Sequence, residues 1–286
     1  IRPTERRKRM SLWFAVLLGL VQGLTEFLPV SSSGHLVLAQ TIFGDGIETN
    51  YMLFNVLLHF GTLLSVVVAF WSDIKELFLE FFAWIKDGFR INGHPYRRFI
   101  IMLLITILPM FAILPIKSKI EGAFSSSLIV GLMLLVTAAI LFLSEKAPKK
   151  HKTEKDATWL DALIVGIGQC FAVLPGLSRS GTTMCTGLFR GFSREFSVRF
   201  AFIMSLPVIL GANILELVDV IRDPSTIGEV SLACYIVGIL VAMVSGLAAI
   251  RMVRFVSKRG NFRPFVVYCT LIGTITIVVS LIRMVV

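Results

Sequence analysis

The chain has 286 residues, of which 56% are hydrophobic and only 16% charged, and its mean hydropathy is +0.83. A soluble domain of this length needs a polar shell that such a composition cannot supply, so a water-soluble globular fold is excluded. The net charge of +10 does not point to nucleic acid, because the basic residues sit in short clusters between apolar runs, where positive-inside bias and anionic lipid heads account for them.

At the N-terminus ERRKRM leads into SLWFAVLLGLV. A secretory signal would look similar, but no small-residue cleavage site follows, and Gln22 and Glu26 stand where one belongs. Met10 is a candidate start residue, with the basic tail an extension ahead of it. Residues 11–28 predict a helix of about one bilayer's length if Gln22 and Glu26 are tolerated within it. LPVSSSGH (28–35) then breaks the chain, and 35–43 is too short to span. Spanning helices are expected at 51–71, 99–116, 125–143, 196–217, 231–250 and 264–286, each near the roughly 20 residues a bilayer requires. Between the third and fourth, residues 161–174, LPGLSRSG (174–181) and 182–190 repeat the broken arrangement. Cys170, Cys185, Cys234 and Cys269 lie in or beside apolar segments without CxxC spacing, so neither a disulfide framework nor a zinc site follows.

The repetition extends to single residues. AVLLGLVQ (15–22) and ALIVGIGQ (162–169) match at an offset of 147. The same offset pairs Gly19 with Gly166, Gln22 with Gln169, Ser31 with Ser178, Ser33 with Ser180, Gly34 with Gly181 and Gly44 with Gly191. One gap then brings Pro29 level with Pro175. Irregular backbone at membrane depth persists only when buried in protein or lining a wet cavity, so each break reads as a re-entrant hairpin. The expected fold is an all-α polytopic membrane protein of one domain with an inverted-topology repeat. Its halves, about 11–143 and 158–286, each hold one re-entrant hairpin and three transmembrane helices. Three crossings per half turn the second half upside down, and such repeats bring their broken helices to a shared site. The two polar tips should therefore face each other.

Charge sets the orientation. Loops 72–98, 144–160, 190–199 and 251–263 carry eighteen Lys and Arg, against nine on the other side, counting Lys117, Lys119, Arg222, Arg283 and the N-terminal tail. The first side should be cytoplasmic, which leaves the RRKR tail outside, against the rule.

Gln22 and Glu26, four apart, share one helix face. An ionisable residue at this depth marks a functional site unless it is paired structurally or reaches the interface. A carboxylate with a neutral amide oxygen beside it suits a divalent cation, Mg2+ or Ca2+. After Pro29, the run Ser31-Ser32-Ser33-Gly34-His35 can cap a second helix, whose N-terminus attracts phosphate. His35 stands three residues after Ser32, within reach of its proton on an opening helix; a structural histidine is the alternative. Ser178-Arg179-Ser180-Gly181-Thr182-Thr183 repeats the cap and adds Arg179, the one basic residue placed inside the membrane. A guanidinium grips phosphate oxygens in a two-pronged way, although an ion pair with Glu26 is open to it. Asn55 and His59, in an apolar span, are expected to pack or bond between helices. His94, His151 and the EKAPKKHKTEKD segment should be solvated loop residues.

QGLTEFLPVSSSGH and PGLSRSGTT resemble the two signature motifs of the bacitracin-resistance family of undecaprenyl pyrophosphate phosphatases, and the resemblance runs from about Ser11 to the C-terminus. It implies dephosphorylation of a C55 polyprenyl pyrophosphate to the monophosphate, in the recycling of a cell-wall lipid carrier. It further implies divalent-cation dependence and a site open to the outer face of the bacterial cytoplasmic membrane. The family's (Glu/Gln)-x-x-x-Glu motif falls on Gln22 and Glu26, its serine–histidine pair on Ser32 and His35, and its PGxSRSxxT motif on Ser178, Arg179, Ser180 and Thr183. Gln22 takes the glutamine form, which weakens the case for two carboxylates on one metal. The other large lipid-phosphatase family, with KxxxxxxRP, PSGH and SRxxxxxHxxxD motifs, shares only an SGH fragment.

The expected reaction is in-line attack on the terminal phosphorus by Ser32, with His35 as general base and then proton donor. Arg179 and the helix N-termini, with Ser31, Ser33, Gly34, Ser178, Ser180, Gly181 and Thr183, would hold the substrate, and a cation on Glu26 and Gln22 would neutralise it. Attack by water activated by His35 is equally open. A polyprenyl-phosphate flippase or anion carrier would need the same cradle, but not a serine–histidine pair beside a cation-binding carboxylate. The expected partners are the polyprenyl pyrophosphate and membrane lipids; a homodimer stays open.

Overall fold

The computed structural model of the chain describes residues 10–43, 51–91, 94–116, 120, 122, 126–147, 151–223 and 230–285. The N-terminal tail, Gly44, Lys117, Lys119, and 92–93 and 148–150 within two of the expected loops lie outside them. The regular structure described is helical: α1 (Leu12–Phe27), α2 (Ser32–Phe43), α3 (Met52–Ala69), α4 (Trp71–Lys86), α5 (Pro95–Ile107), α6 (Ser127–Glu145), α7 (Trp159–Phe171), α8 (Arg179–Phe189), α9 (Arg194–Arg222), α10 (Leu232–Arg259) and α11 (Arg263–Val285).

The helix starts follow local chemistry. Ser11, Ser126, Ser178, Ser193 and Ser231 each accept a hydrogen bond from the backbone N–H three residues on, and Thr158 with Asp161 forms a full capping box. Pro95 sits in the first turn of α5, where its missing N–H costs nothing.

Five described helices are long and apolar enough to cross a membrane: Pro95–Ala112, Ser127–Glu145, Arg194–Arg222, Leu232–Arg259 and Arg263–Met284. A sixth forms if Leu53–Ala69 and Trp71–Lys86, bent by 85° at their junction, count as one span. Their outer surfaces carry large apolar side chains such as Ile221, Leu232, Val244 and Leu271. A water-soluble monomer does not leave so much apolar surface open, and a lipid-facing one does. The chain is a multi-pass membrane protein.

Two boundaries differ from expectation. The stretch 72–98, expected as a loop, begins with the helix α4, which exposes Phe78, Leu79, Phe81, Phe82 and Ile85. Charges at Asp73, Lys75, Glu76 and Glu80 hid its apolar face from a hydropathy reading. Lys152, expected to be solvated, is tied down: its Nζ reaches Asp161 at 3.0 Å, while Arg190 Nε holds the other carboxylate oxygen at 2.7 Å.

Small residues set the packing. Helix α1 runs along α10, and a Cβ on Gly23 would come within 2.4 Å of the Ala242 carbonyl oxygen and 2.0 Å of Ser245 Oγ. Helices α6 and α11 meet in the same way at Gly131 and Gly273. Lipid gives apolar helices no hydrophobic reason to associate, so close backbone approach and van der Waals contact hold them together.

Candidate active site

The site forms where the two broken segments meet. Leu28–Val30 ends α1, and Ser31 then adopts φ 72 before α2 begins. Only glycine takes that region without strain, and a serine there costs about 1–3 kcal/mol. The surroundings fix it. Ser31 Oγ accepts from Gly34 N–H at 3.3 Å, and its carbonyl accepts from His35 N–H at 3.2 Å and from the His35 ring at 2.7 Å. In the second segment Ser178 caps α8 by accepting from Gly181 N–H at 3.1 Å.

The tips interlock through glycines. A Cβ on Gly34 would stand 3.2 Å from Gly176 Cα of the other tip, and one on Gly181 would stand 3.0 Å from Pro29 Cβ. Ser180 Oγ donates across the junction to the Leu28 carbonyl at 3.1 Å. The N-termini of α2 and α8 thus converge, each with leading N–H groups that lack an intrahelical partner.

Between them lies Glu26, 7% exposed. Its Oε2 accepts from Ser32 Oγ at 2.6 Å and from Gln22 Nε2 at 3.0 Å, and its Oε1 accepts from Arg179 Nη2 at 3.0 Å. A buried carboxylate without such partners would be strongly destabilising. Ser31, Ser32, Ser33, Glu26, Ser178 and Arg179 line a cavity of about 270 Å³. Gly34, Ser180, Gly181 and Thr183 are not among the lining residues; the first three join the tips, and Thr183 Oγ1 donates within its own helix to the Arg179 carbonyl at 2.8 Å.

His35 departs from expectation. Its Nδ1–H donates to the Ser31 carbonyl, its Nε2 accepts from Tyr268 Oη at 2.7 Å, and the two rings stack at 5.5 Å. Ser32 donates to Glu26 instead of His35. The left-handed turn at Ser31 explains this: it aims the Ser31 carbonyl at the imidazole and leaves Ser32 facing back towards α1.

The sequence profile described as "Bacitracin resistance protein BacA" matches residues 15–275. The chain belongs to this family. It is similar to the undecaprenyl-diphosphatase of Alkaliphilus metalliredigens (strain QYMF), at 40% identity over 278 residues, covering 95% of this chain and 100% of the relative. That of Methanosphaera stadtmanae is 39% identical over 278 residues, covering 94% and 98%. That of Bacteroides fragilis (strain YCH46) is 40% identical over 271 residues, covering 94% and 98%.

In this BacA-family chain the cavity also takes in residues that sequence reasoning passed over. His59, expected to pack or bond between helices, does bond between them, with Nδ1 at 2.9 Å from Gln22 Nε2 and 3.7 Å from Glu26 Oε2, and it also lines the cavity. Gln169, Asn213 and Glu216 line the same space. Polar residues inside apolar runs were the available signal for these four, strengthened for Gln169 by its repeat mate Gln22. Thr137 of α6 carried no signal: its hydroxyl accepts from Ser178 N–H at 3.0 Å and shares its proton between the Met133 and Gly176 carbonyls at 3.0 and 3.1 Å, bracing the second tip.

The donor set also bears on a cation. Gln22 Oε1 is buried without a hydrogen-bond partner, on the amide whose Nε2 donates to Glu26; Gln22 lies behind Glu26 and is not among the residues lining the cavity, which Glu26 and Glu216 border. Among the described residues no three His, Cys, Asp or Glu side chains form a closed cage. One or two carboxylates with an amide oxygen fit a magnesium-like ion that completes its shell with water and phosphate oxygens.

Proposed function

We propose that the chain is an undecaprenyl-diphosphatase, hydrolysing undecaprenyl pyrophosphate to undecaprenyl phosphate and inorganic phosphate. That reaction would recycle the lipid carrier of cell-wall synthesis and confer bacitracin resistance. The observation that carries it is Glu26, bonded by Ser32 on one oxygen and by Arg179 on the other where two helix N-termini meet. A flippase or anion carrier would need the cradle but has no use for a hydroxyl held on a carboxylate.

In this reading Ser32 is the nucleophile. Its Oγ attacks the terminal phosphorus, the Oγ–P bond forms, and the bridging P–O bond breaks to release the polyprenyl monophosphate. The Ser32 proton passes to Glu26 Oε2, already its hydrogen-bond acceptor, and water then hydrolyses the phosphoserine. This moves the base role from His35 to Glu26, because both His35 nitrogens are engaged elsewhere. The same engagement favours the serine route over water activated by His35. Arg179, with the N–H groups at the starts of α2 and α8, takes the phosphoryl oxygens and the charge that develops on them. A divalent cation, Mg2+ or Ca2+, would sit on Glu26 and Gln22 and neutralise the pyrophosphate when bound; with Ser32, Gln22 and Arg179 on three of the roughly four lone-pair sites of the carboxylate, one is left for an ion.

The inverted repeat is supported by the packing, in which α1 lies on α10 and α7 lies on α5, the equivalent pair when the halves are exchanged. Helices α6 and α11, equivalent to each other, also pack together. The charge asymmetry supports the orientation with loops 144–160 and 251–263 in the cytoplasm, and the family resemblance is what implies the bacterial cytoplasmic membrane with the serine site open to its outer face. The test is phosphate release from undecaprenyl pyrophosphate by the purified protein in detergent, with and without a chelator. Release that stops on chelation and returns with magnesium fits the proposal; no release under any cation rejects it.

A further inference from the structure

A second cleft opens where the bend at Phe70 meets the start of α9 and the end of α10. It encloses about 510 Å³, and four cations, Arg194, Arg199, Arg254 and Lys258, line it against the carboxylates of Asp73 and Glu195. Arg199 is already matched, with Nη2 at 2.5 Å from Asp73 and Nη1 at 3.5 Å from Glu154. Arg254 lies over the Phe70 ring, 4.0 Å from its centroid, and spends one weak hydrogen bond on the Ala69 carbonyl at 3.4 Å. Arg194, Arg254 and Lys258 then share Glu195 and what remains of Asp73, which also acts on Arg254, so the cleft keeps an excess of positive charge.

The buried polar atoms point the same way. Arg194 Nη1, Arg199 Nε and Ser257 Oγ have no hydrogen-bond partner, and Ser257 is only 2% exposed. All three can donate, and a buried donor without an acceptor is costly. The missing group is therefore a compact set of negatively charged oxygens. Guanidinium forks match phosphate in geometry as well as charge, and the first turn of α9 adds its unpaired N–H groups. Phe70, Phe255 and Val198 supply an apolar wall beside the charges.

This cleft is separate from the serine site. Phe70 stacks edge-on against Phe202 at 6.0 Å, and Phe202 against Phe27 at 5.4 Å, so a seam of three rings stands between the cleft and the neighbour of Glu26. We infer that the cleft at Phe70, Arg194, Arg254, Ser257 and Lys258 is a second phosphate-binding site, for the anionic head of a membrane lipid or for free phosphate. Under the orientation proposed above it faces the cytoplasm, opposite the reacting serine.

The test uses the full chain in detergent, with radiolabelled inorganic phosphate in equilibrium dialysis and competition by phosphatidylglycerol or phosphatidylcholine. Wild type should bind phosphate in two classes. Arg179→Ala should remove one. Arg194→Gln with Arg254→Gln should weaken the other at least about 10-fold, as expected from losing two charge-assisted contacts, with phosphatase activity kept within about threefold. Displacement by phosphatidylglycerol but not phosphatidylcholine assigns the site to lipid head groups; no displacement by either assigns it to free phosphate. Because the double variant removes the partly buried Arg194, Lys258→Glu provides a change at an exposed side chain of the same cleft, and it too should weaken that class severalfold. A single class abolished by Arg179→Ala, or cleft binding unchanged in Lys258→Glu, overturns the inference.

Discussion

The two tips, residues 28–35 and 174–182, do the same local work with different chemistry. In each a serine caps a short helix through the N–H three residues on, and lies against a second serine, Ser31 with Ser33 at 3.3 Å and Ser178 with Ser180 at 3.2 Å. In each a glycine admits the opposite tip. They differ at the first helical residue after the cap, Ser32 in one and Arg179 in the other, and these two side chains bind opposite oxygens of Glu26. They differ also in where the chain turns left-handed: at Ser31 in the first tip, at Gly176, φ 92, in the second. On the proposed reading, one repeated cradle is specialised at one position per copy, a nucleophile at Ser32 and a fixed charge at Arg179, and the positive-φ serine lies on the Ser32 side.

Replacing the residue that sets the tips apart should have the largest effect. Ser32→Ala leaves the cap and the ion pair intact but removes the attacking oxygen, so phosphate release should fall at least about 1000-fold, as losing a nucleophile does elsewhere. A loss under tenfold would return the reaction to water and erase the functional difference between the tips. Next comes Arg179→Lys, which keeps the charge and loses the fork; kcat should drop about 100-fold, the usual cost of one transition-state donor. If kcat stays within threefold, Arg179 serves only to neutralise Glu26.

The strain in the first tip can be tested through the group that fixes it. His35→Ala removes the ring bond to the Ser31 carbonyl, which keeps only the backbone N–H of residue 35, and frees the Tyr268 hydroxyl; mispositioning Ser32 should cost roughly 10-fold in kcat with KM little changed. A loss equal to that of Ser32→Ala, with the same pH profile, would restore His35 as the base. The smallest effect is expected in the second tip, which has glycine at its turn. Thr137→Val leaves Ser178 N–H buried without an acceptor, at about 1–3 kcal/mol. The midpoint of thermal unfolding in detergent should fall, while kcat changes less than about fivefold because no reacting group moves. A larger drop in kcat than in His35→Ala would mean that the second tip is the more delicately placed.

Much of this was legible in the residues alone. Apolar runs of bilayer length gave the membrane class and the spans, since no other solvent suits them. Proline, serine and glycine at matching offsets gave both breaks and their caps, because capping is a contact between residues three apart. Glu26 and Arg179 stood out because a charge at that depth is costly unless it is used. Tertiary structure decided what acts across the chain. That Ser32 faces Glu26 and not His35 depends on a left-handed residue at Ser31, bonded by His35, whose other ring nitrogen is held by Tyr268 more than two hundred residues away. That His59, Gln169, Asn213 and Glu216 share a cavity with Glu26 depends on how α1, α3, α7 and α9 meet. That four cations of α9 and α10 gather around Phe70 depends on the bend between α3 and α4. Local sequence encodes contacts made within one helical turn, whereas these pairings are set by small residues that let distant helices touch, and their geometry exists only once the helices are packed.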